Sequence, residues 1–142
     1  MKTGPEAKLT LVMDASAMIA YLRDENGAAE VAAVLSDPAH KLFAHSINLS
    51  EVFYEFHRAG GMDDAVDALS DLSLLGIVER SDMSGEFWRA AGKLKSMYRR
   101  ISLADCFAIT LAQKLAGTLL TSDHHEFDTL AQQSVCDIRF IR

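Results

Sequence analysis

The 142-residue sequence predicts an α/β fold, a mainly parallel central sheet covered by helices on both faces. Three observations predict it. Short apolar runs rich in β-formers recur along the chain. Segments with apolar residues at helical spacing stand between them. Gly, Pro and Asp breaks separate the two kinds.

The elements follow in order. Residues 1–8 read as a loose polar leader, and the rest as one domain spanning 1–142. Residues 9–13 (LTLVM) form a short apolar run suited to a buried strand. A helix follows over 15–22, and a second over 27–36, which Asp37-Pro38 breaks. Residues 42–44 make a short strand. Over 47–59, Leu49, Val52, Phe53 and Phe56 sit at helical spacing, and Gly60-Gly61 stops the helix. The next helix covers 63–75 and ends at Gly76. Strand 77–80, helix 86–98 and a strongly apolar helix over 103–116 come next, the last closed by Gly117. Strand 118–121, a short helix over 126–132 and strand 138–141 complete the chain.

Composition sets limits on function. Apolar residues make up 49% and charged residues 24%, ordinary usage for a globular chain. No apolar run approaches the ~18 residues that would span a bilayer, and residues 1–13 lack the features of a signal peptide. A cytoplasmic protein is expected. The two cysteines, Cys106 and Cys136, lack metal-ligand spacing and read as small apolar residues in a reducing compartment. The net charge of −6 argues against a nonspecific nucleic-acid binder. It leaves room for a nuclease whose acidic site is neutralised by a cation.

Four acids draw notice, and each has a plain structural reading. Asp14, after the first strand, has the form of a helix N-cap. Glu51 stands three residues after Asn48, as in a capping box with Asn48 as the cap. Asp105 is an acid in a helix first turn, where the helix dipole favours it. Its helix is apolar around most of its circumference, however, and a buried carboxylate needs a partner or a metal. Asp123 reads as a turn or cap residue.

Together they mean more. Asp14, Glu51 and Asp123 all follow predicted strands, so a parallel sheet puts them on one edge, where such sheets carry their sites. The helix bearing Asp105 can reach that edge. Gathered carboxylates repel one another, a hard divalent cation relieves the repulsion, and oxygen-only ligands favour Mg²⁺ or Mn²⁺. Glu55 is one turn from Glu51 and Asp128 is close to Asp123, so both remain alternatives.

The ordered segments Val12-Met13-Asp14-Ala15-Ser16, Asn48-Leu49-Ser50-Glu51-Val52, Ser102-Leu103-Ala104-Asp105-Cys106-Phe107-Ala108 and Leu120-Thr121-Ser122-Asp123-His124-His125-Glu126-Phe127 resemble the PIN-domain ribonucleases. The nearest likeness is to VapC-like toxins of type II toxin–antitoxin systems. Each motif alone is weak, but four in order over nearly the whole chain are specific. The resemblance implies a three-layer α/β/α sandwich. It implies a Mg²⁺-dependent endoribonuclease acting on cellular RNA (tRNA, rRNA or mRNA), a cognate small antitoxin and a homodimer. It matches Asp14 and Asp105 to the principal metal ligands, Glu51 and Asp123 to the remaining catalytic acids, and Ser16 and Thr121 to supporting hydroxyls.

Several other readings compete. Adjacent His124 and His125 do not share a helix face and have no third soft ligand, so a polar loop explains them better than zinc. Arg89, Lys93, Lys95, Arg99 and Arg100 are either a solvated helix face or a phosphate guide. Phe87 and Trp88 read as core. A haloacid-dehalogenase-type phosphatase wants a second Asp where Ser16 stands. A receiver domain wants an acidic pair and a late Lys that are not found. A non-catalytic PIN-like binding module is the remaining rival.

Overall fold

The computed structural model describes residues 9–133 and 135–142, apart from the side chains of His125 and Glu126. The expected leader at residues 1–8 lies outside the described residues. The elements are β1 (Thr10–Met13), α1 (Ala15–Leu22), α2 (Ala28–Leu35), β2 (Lys41–His45), α3 (Ser46–Gly60) and α4 (Met62–Leu74). They continue as β3 (Ile77–Arg80), α5 (Gly85–Met97), α6 (Leu103–Lys114), β4 (Thr118–Thr121), α7 (His124–Gln132) and β5 (Asp137–Phe140). Each expected element is present; α1, β3 and β4 have the expected bounds, and the ends of the others differ by at most two residues.

The five strands form one sheet in the order β3-β2-β1-β4-β5, and every pairing is parallel. The chain winds outward from β1 to β3, then crosses back to add β4 on the other side of β1. The strand order therefore reverses at β1, which makes the C-terminal ends of β1 and β4 the natural place for a site.

Alternation along β1 assigns the two faces. Leu11 and Met13 join a core with Met18 and Val31 of the first two helices, Leu72 of α4, and Leu120. Val12 points the other way, into a core with Phe87, Leu94, Ile109, Leu111, Leu119 and Phe127. Helices α1 to α4 thus bury their apolar stripes on one face, and α5 to α7 on the other, giving three layers. Helix α6 is buried from Cys106 to Ala112 without a break, which is why its sequence is apolar nearly all round.

Two glycines set tight connections. Gly76 has φ +94, the left-handed turn that ends α4 before β3. At Gly117 a Cβ would lie 2.7 Å from the Thr10 carbonyl oxygen, so only glycine lets the α6–β4 turn pass this close to β1.

Trp88 departs from expectation. It is 47% exposed, whereas its neighbour Phe87 is buried. One hundred degrees of helical rotation separates adjacent residues, so only one of the two can face the sheet. Trp88 instead carries the Arg89 guanidinium over its ring, 5.0 Å from the centroid.

Candidate active site

Asp14 follows β1 and caps α1, and its backbone N–H donates to the Leu120 carbonyl of β4. Its residue exposure is 1%. Three neutral donors hold the carboxylate. Ser16 Oγ and the Ala17 N–H donate to Oδ1 at 2.7 and 2.9 Å. Thr121 Oγ1 donates to Oδ2 at 2.5 Å. The cap reading of Asp14 is therefore correct, yet a cap at the surface would not be desolvated. Burial pushes its carboxyl up to about 6, against the opposing pull of the Thr121, Ala17 and Ser16 hydrogen bonds, and the nearby Asp123 charge adds to the rise.

Ser16 and Thr121 extend the framework. The Ser122 N–H donates to Ser16 Oγ at 3.1 Å, and the Asp123 N–H donates to Thr121 Oγ1 at 3.1 Å. One pair of hydroxyls thus fixes Asp14 and the backbone that presents Asp123.

Glu51 lies inside α3 rather than at its start, so the capping-box reading of Asn48 and Glu51 is overturned. The cap is His45, whose Nδ1 accepts from the Ile47 N–H at 3.1 Å. Its ring is buried, stacks on Phe87 at 5.4 Å and meets the Asp82 carbonyl through Nε2 at 2.8 Å. With Nδ1 accepting, Nε2 carries the proton that it donates to the Asp82 carbonyl. The cap bond to Ile47 is local, but the Asp82 carbonyl that orients the ring is 37 residues away, a partner that no local spacing reveals.

Asp105 sits in the first turn of α6, where Ser102 Oγ accepts from its N–H at 3.1 Å. It is half-buried, so the fully desolvated carboxylate is Asp14 and not Asp105, although Asp105 has the more apolar helix.

One pocket of about 310 Å³ gathers these parts. Asp14, Glu51, Asp105 and Asp123 all line it, with Ser16, Ser102, Tyr54 and Glu55. Both Glu51 and Glu55 contribute, the latter ion-paired to Arg58 at 2.5 Å. Asp128 is not among the lining residues. It pairs with His124 Nδ1 at 3.0 Å on the exposed side of α7. The His124 ring stacks on Phe140, and its Nε2 meets the Arg142 carbonyl, so this His buttresses the C-terminal strand. The His125 side chain lies outside the described residues.

The donor set suits a hard divalent cation, because every titratable ligand facing the pocket is an oxygen acid. Among the described residues, no three His, Cys, Asp or Glu side chains already converge as a ready-made cage. Mg²⁺ does not require one, since it keeps several waters and takes one or two carboxylates. The desolvated Asp14 is the member whose charge a cation would relieve most.

The basic stretch divides. Lys95 Nζ donates to the Arg99 and Ile101 carbonyls, both at 2.7 Å, and so braces the turn into α6. Lys93, Arg99 and Arg100 are exposed.

Fold and pocket together define a class: a doubly wound α/β protein with a carboxylate-lined site at the switch point of a parallel sheet. Within that class, the chain belongs to the PIN domain family, whose model matches residues 11–132. The family is one of nucleases. Solved structures of similar fold include VapBC2 from Rickettsia felis bound to a DNA fragment from their promoter, with TM-score 0.69, 17% identity and coverage of 93% of this chain and 98% of that one. VapBC-1 from nontypeable Haemophilus influenzae matches with TM-score 0.70, 15% identity and coverage of 94% and 98%. VapC20 from Mycobacterium tuberculosis, a Sarcin-Ricin loop cleaving toxin, matches with TM-score 0.66, 16% identity and coverage of 84% and 94%. At these identities the likeness is one of fold. No curated protein matches this chain in sequence. No described helix is long and apolar enough to cross a membrane.

Proposed function

We propose that the protein is a Mg²⁺-dependent endoribonuclease, with Mn²⁺ able to substitute, acting as the toxin of a type II toxin–antitoxin pair in the cytoplasm. The observation that carries this reading is Asp14, a desolvated carboxylate held by neutral donors in a pocket that Glu51, Asp105 and Asp123 also line. Such a cluster is costly without a cation and serves phosphodiester hydrolysis with one. The similarity to VapC20, described as a Sarcin-Ricin loop cleaving toxin, supports RNA as the polymer. The similarity to VapBC complexes supports a small antitoxin partner. A homodimer is the assembly we assign.

Asp14 and Asp105 are the residues we assign to the cation. When bound, it supplies a more acidic water and offsets charge growing on the phosphoryl oxygens. Glu51 and Asp123 accept hydrogen bonds from water in the pocket and orient it for in-line attack on phosphorus. The water oxygen bonds to phosphorus as the bond from phosphorus to the 3′-oxygen breaks; one water proton passes to a pocket carboxylate, and the departing 3′-oxygen takes a proton from solvent. The products are a 5′-phosphate and a 3′-hydroxyl. The 2′-hydroxyl is not the nucleophile.

The test uses the purified chain with tRNA and rRNA. Cleavage in Mg²⁺, its loss in EDTA and 5′-phosphate ends are expected. Cleavage that survives chelation, or 2′,3′-cyclic phosphate ends, refutes the mechanism. Expression of Asp14→Asn separates an enzyme from a non-catalytic binding module. The enzyme loses its growth phenotype and the module keeps it.

A further inference from the structure

Asn48 lies on α3 with 0% exposure. Its amide nitrogen donates to two acceptors on different elements. One is Glu51 Oε1, three residues on, at 3.5 Å. The other is the backbone carbonyl of Ala104, 56 residues away, at 3.3 Å. Ala104 immediately precedes Asp105 in the first turn of α6. One buried amide therefore links the segments that carry two of the pocket acids.

The orientation of this amide follows from its neighbours. Both acceptors are oxygens, one of them a carboxylate, so a flipped amide would set oxygen against oxygen twice. The cost of the arrangement falls on the other end of the side chain. Asn48 Oδ1 is buried and has no hydrogen-bond partner among the described residues. An unsatisfied buried acceptor is destabilising, and an apolar side chain of similar size would avoid it. The amide thus engages its nitrogen at the site and leaves its oxygen unsatisfied, so what an apolar residue could not supply there is the pair of donors.

We propose that Asn48 is a positioning residue, which sets the Glu51 carboxylate relative to Asp105 by holding Glu51 and the Ala104 carbonyl of the turn that carries Asp105 from one buried amide. The assignment rests on the endoribonuclease reading of the same pocket. Asn48 touches neither RNA nor cation; it acts through Glu51 and through the α6 turn. The two bonds are long, so each is weak alone, and their joint effect is to fix a separation between two helices.

The test is a double-mutant cycle of Asn48→Leu with Glu51→Gln, read by cleavage kinetics and by calorimetric titration of Mn²⁺ into the protein alone. Loss of a group that orients a ligand typically lowers metal affinity or activity by about 10–100-fold. Asn48→Leu should lower kcat by at least about tenfold with KM within about twofold, and should weaken Mn²⁺ binding. In the Glu51→Gln background the same substitution should cost clearly less in kcat and Mn²⁺ affinity, because only the bond to the Ala104 carbonyl remains to be lost.

A folded Asn48→Leu with kcat and Mn²⁺ affinity like wild type overturns the proposal. So does a full loss that persists in the Glu51→Gln background, which would make Asn48 a packing residue only. If Asn48→Leu fails to fold, Asn48→Asp, of the same size but without the amide donors, carries the same comparison. A wild type that binds Mn²⁺ without cutting RNA defeats the endoribonuclease reading alone, and the Mn²⁺ affinities across the cycle then decide Asn48. A wild type that does neither defeats both.

Discussion

The hydroxyl of Thr121 donates to Asp14 Oδ2 at 2.5 Å across 107 residues of sequence, and Thr121 Oγ1 in turn accepts from the Asp123 N–H. A single side chain at the end of β4 thus stabilises the buried carboxylate and sets the backbone of the next acid. Thr121→Val keeps the shape and removes both bonds. It should cost about 1–3 kcal/mol of stability, since it leaves a buried carboxylate short of a donor. The rate of RNA cleavage should fall by about 10–100-fold. The pH profile should also move to higher pH, because one of the bonds that lowers the Asp14 pKa is lost. Chemical denaturation and a pH–rate series check these outcomes, and an unmoved pH profile would count against Thr121 acting on Asp14.

The raised Asp14 pKa makes a stability prediction of definite sign. Its carboxyl sits at about 6 in the fold, against an ordinary aspartate value of 3.8. Between those values the folded state binds more protons than the unfolded state, so cation-free stability falls as pH rises through the window. Above it, the ionised buried carboxylate costs on the order of 3 kcal/mol, taking about 1.4 kcal/mol per pKa unit. Asp14→Asn removes that charge. The variant should melt higher than wild type near about pH 8 without divalent cation, with the gap closing toward about pH 4. A variant that melts lower across the range would show that the Asp14 charge is not a burden on the fold.

The same carboxylate should link proton and cation binding. Mg²⁺ needs the ionised form, so its thermal stabilisation of wild type should be large above about pH 7 and fade as pH drops through about 6. Asp14→Asn should show little shift at any pH. Melting curves with and without Mg²⁺ at several pH values measure this directly. Equal Mg²⁺ shifts in wild type and Asp14→Asn would remove Asp14 from the cation site.

Asp123 and Asp128 should behave differently. Asp123 lines the pocket, whereas Asp128 pairs with His124 on the far side of α7 and raises the pKa of that imidazole. Asp123→Asn should lower cleavage by about tenfold or more, and Asp128→Asn should leave it within about twofold. Nuclear magnetic resonance titration of His124 should show the reverse pattern, with its pKa falling mainly in Asp128→Asn. Loss of cleavage in Asp128→Asn alone would exchange the two assignments.

Among the basic residues, Lys95 differs from its neighbours because it caps carbonyls. Lys95→Met should cost about 1–2 kcal/mol of stability, through two lost charge-assisted bonds. Lys93→Ala and Arg100→Ala should instead raise KM for RNA and flatten its salt dependence, with little effect on melting. Identical behaviour of all three would make the stretch a solvated face and nothing more.

Much of this architecture was legible from residue order. Buried parallel strands such as β1 and β4 are short, with consecutive apolar residues at their centres, and their periodicity differs from that of the amphipathic helices between them. That contrast determined the α/β class, the element order and the expectation that Asp14, Glu51 and Asp123 share an edge. Local sequence also determined the Asp14 cap and the first-turn place of Asp105, because both depend on bonds within a few residues.

Only the tertiary structure decided which acid loses its water. Desolvation depends on what packs around a group, and Asp14 is enclosed by β4 and the start of α1, while Asp105, on the more apolar helix, remains half-exposed. It likewise decided that Asn48 bridges to α6 instead of capping α3, and that His45 takes the cap. It also brought Asp123 into the pocket and left Asp128 outside. The burial of Asp14, the Asn48 bridge and the orientation of the His45 ring by the Asp82 carbonyl rest on contacts between segments distant in the chain, whose approach is set by the crossing of helices over the sheet and not by any local pattern.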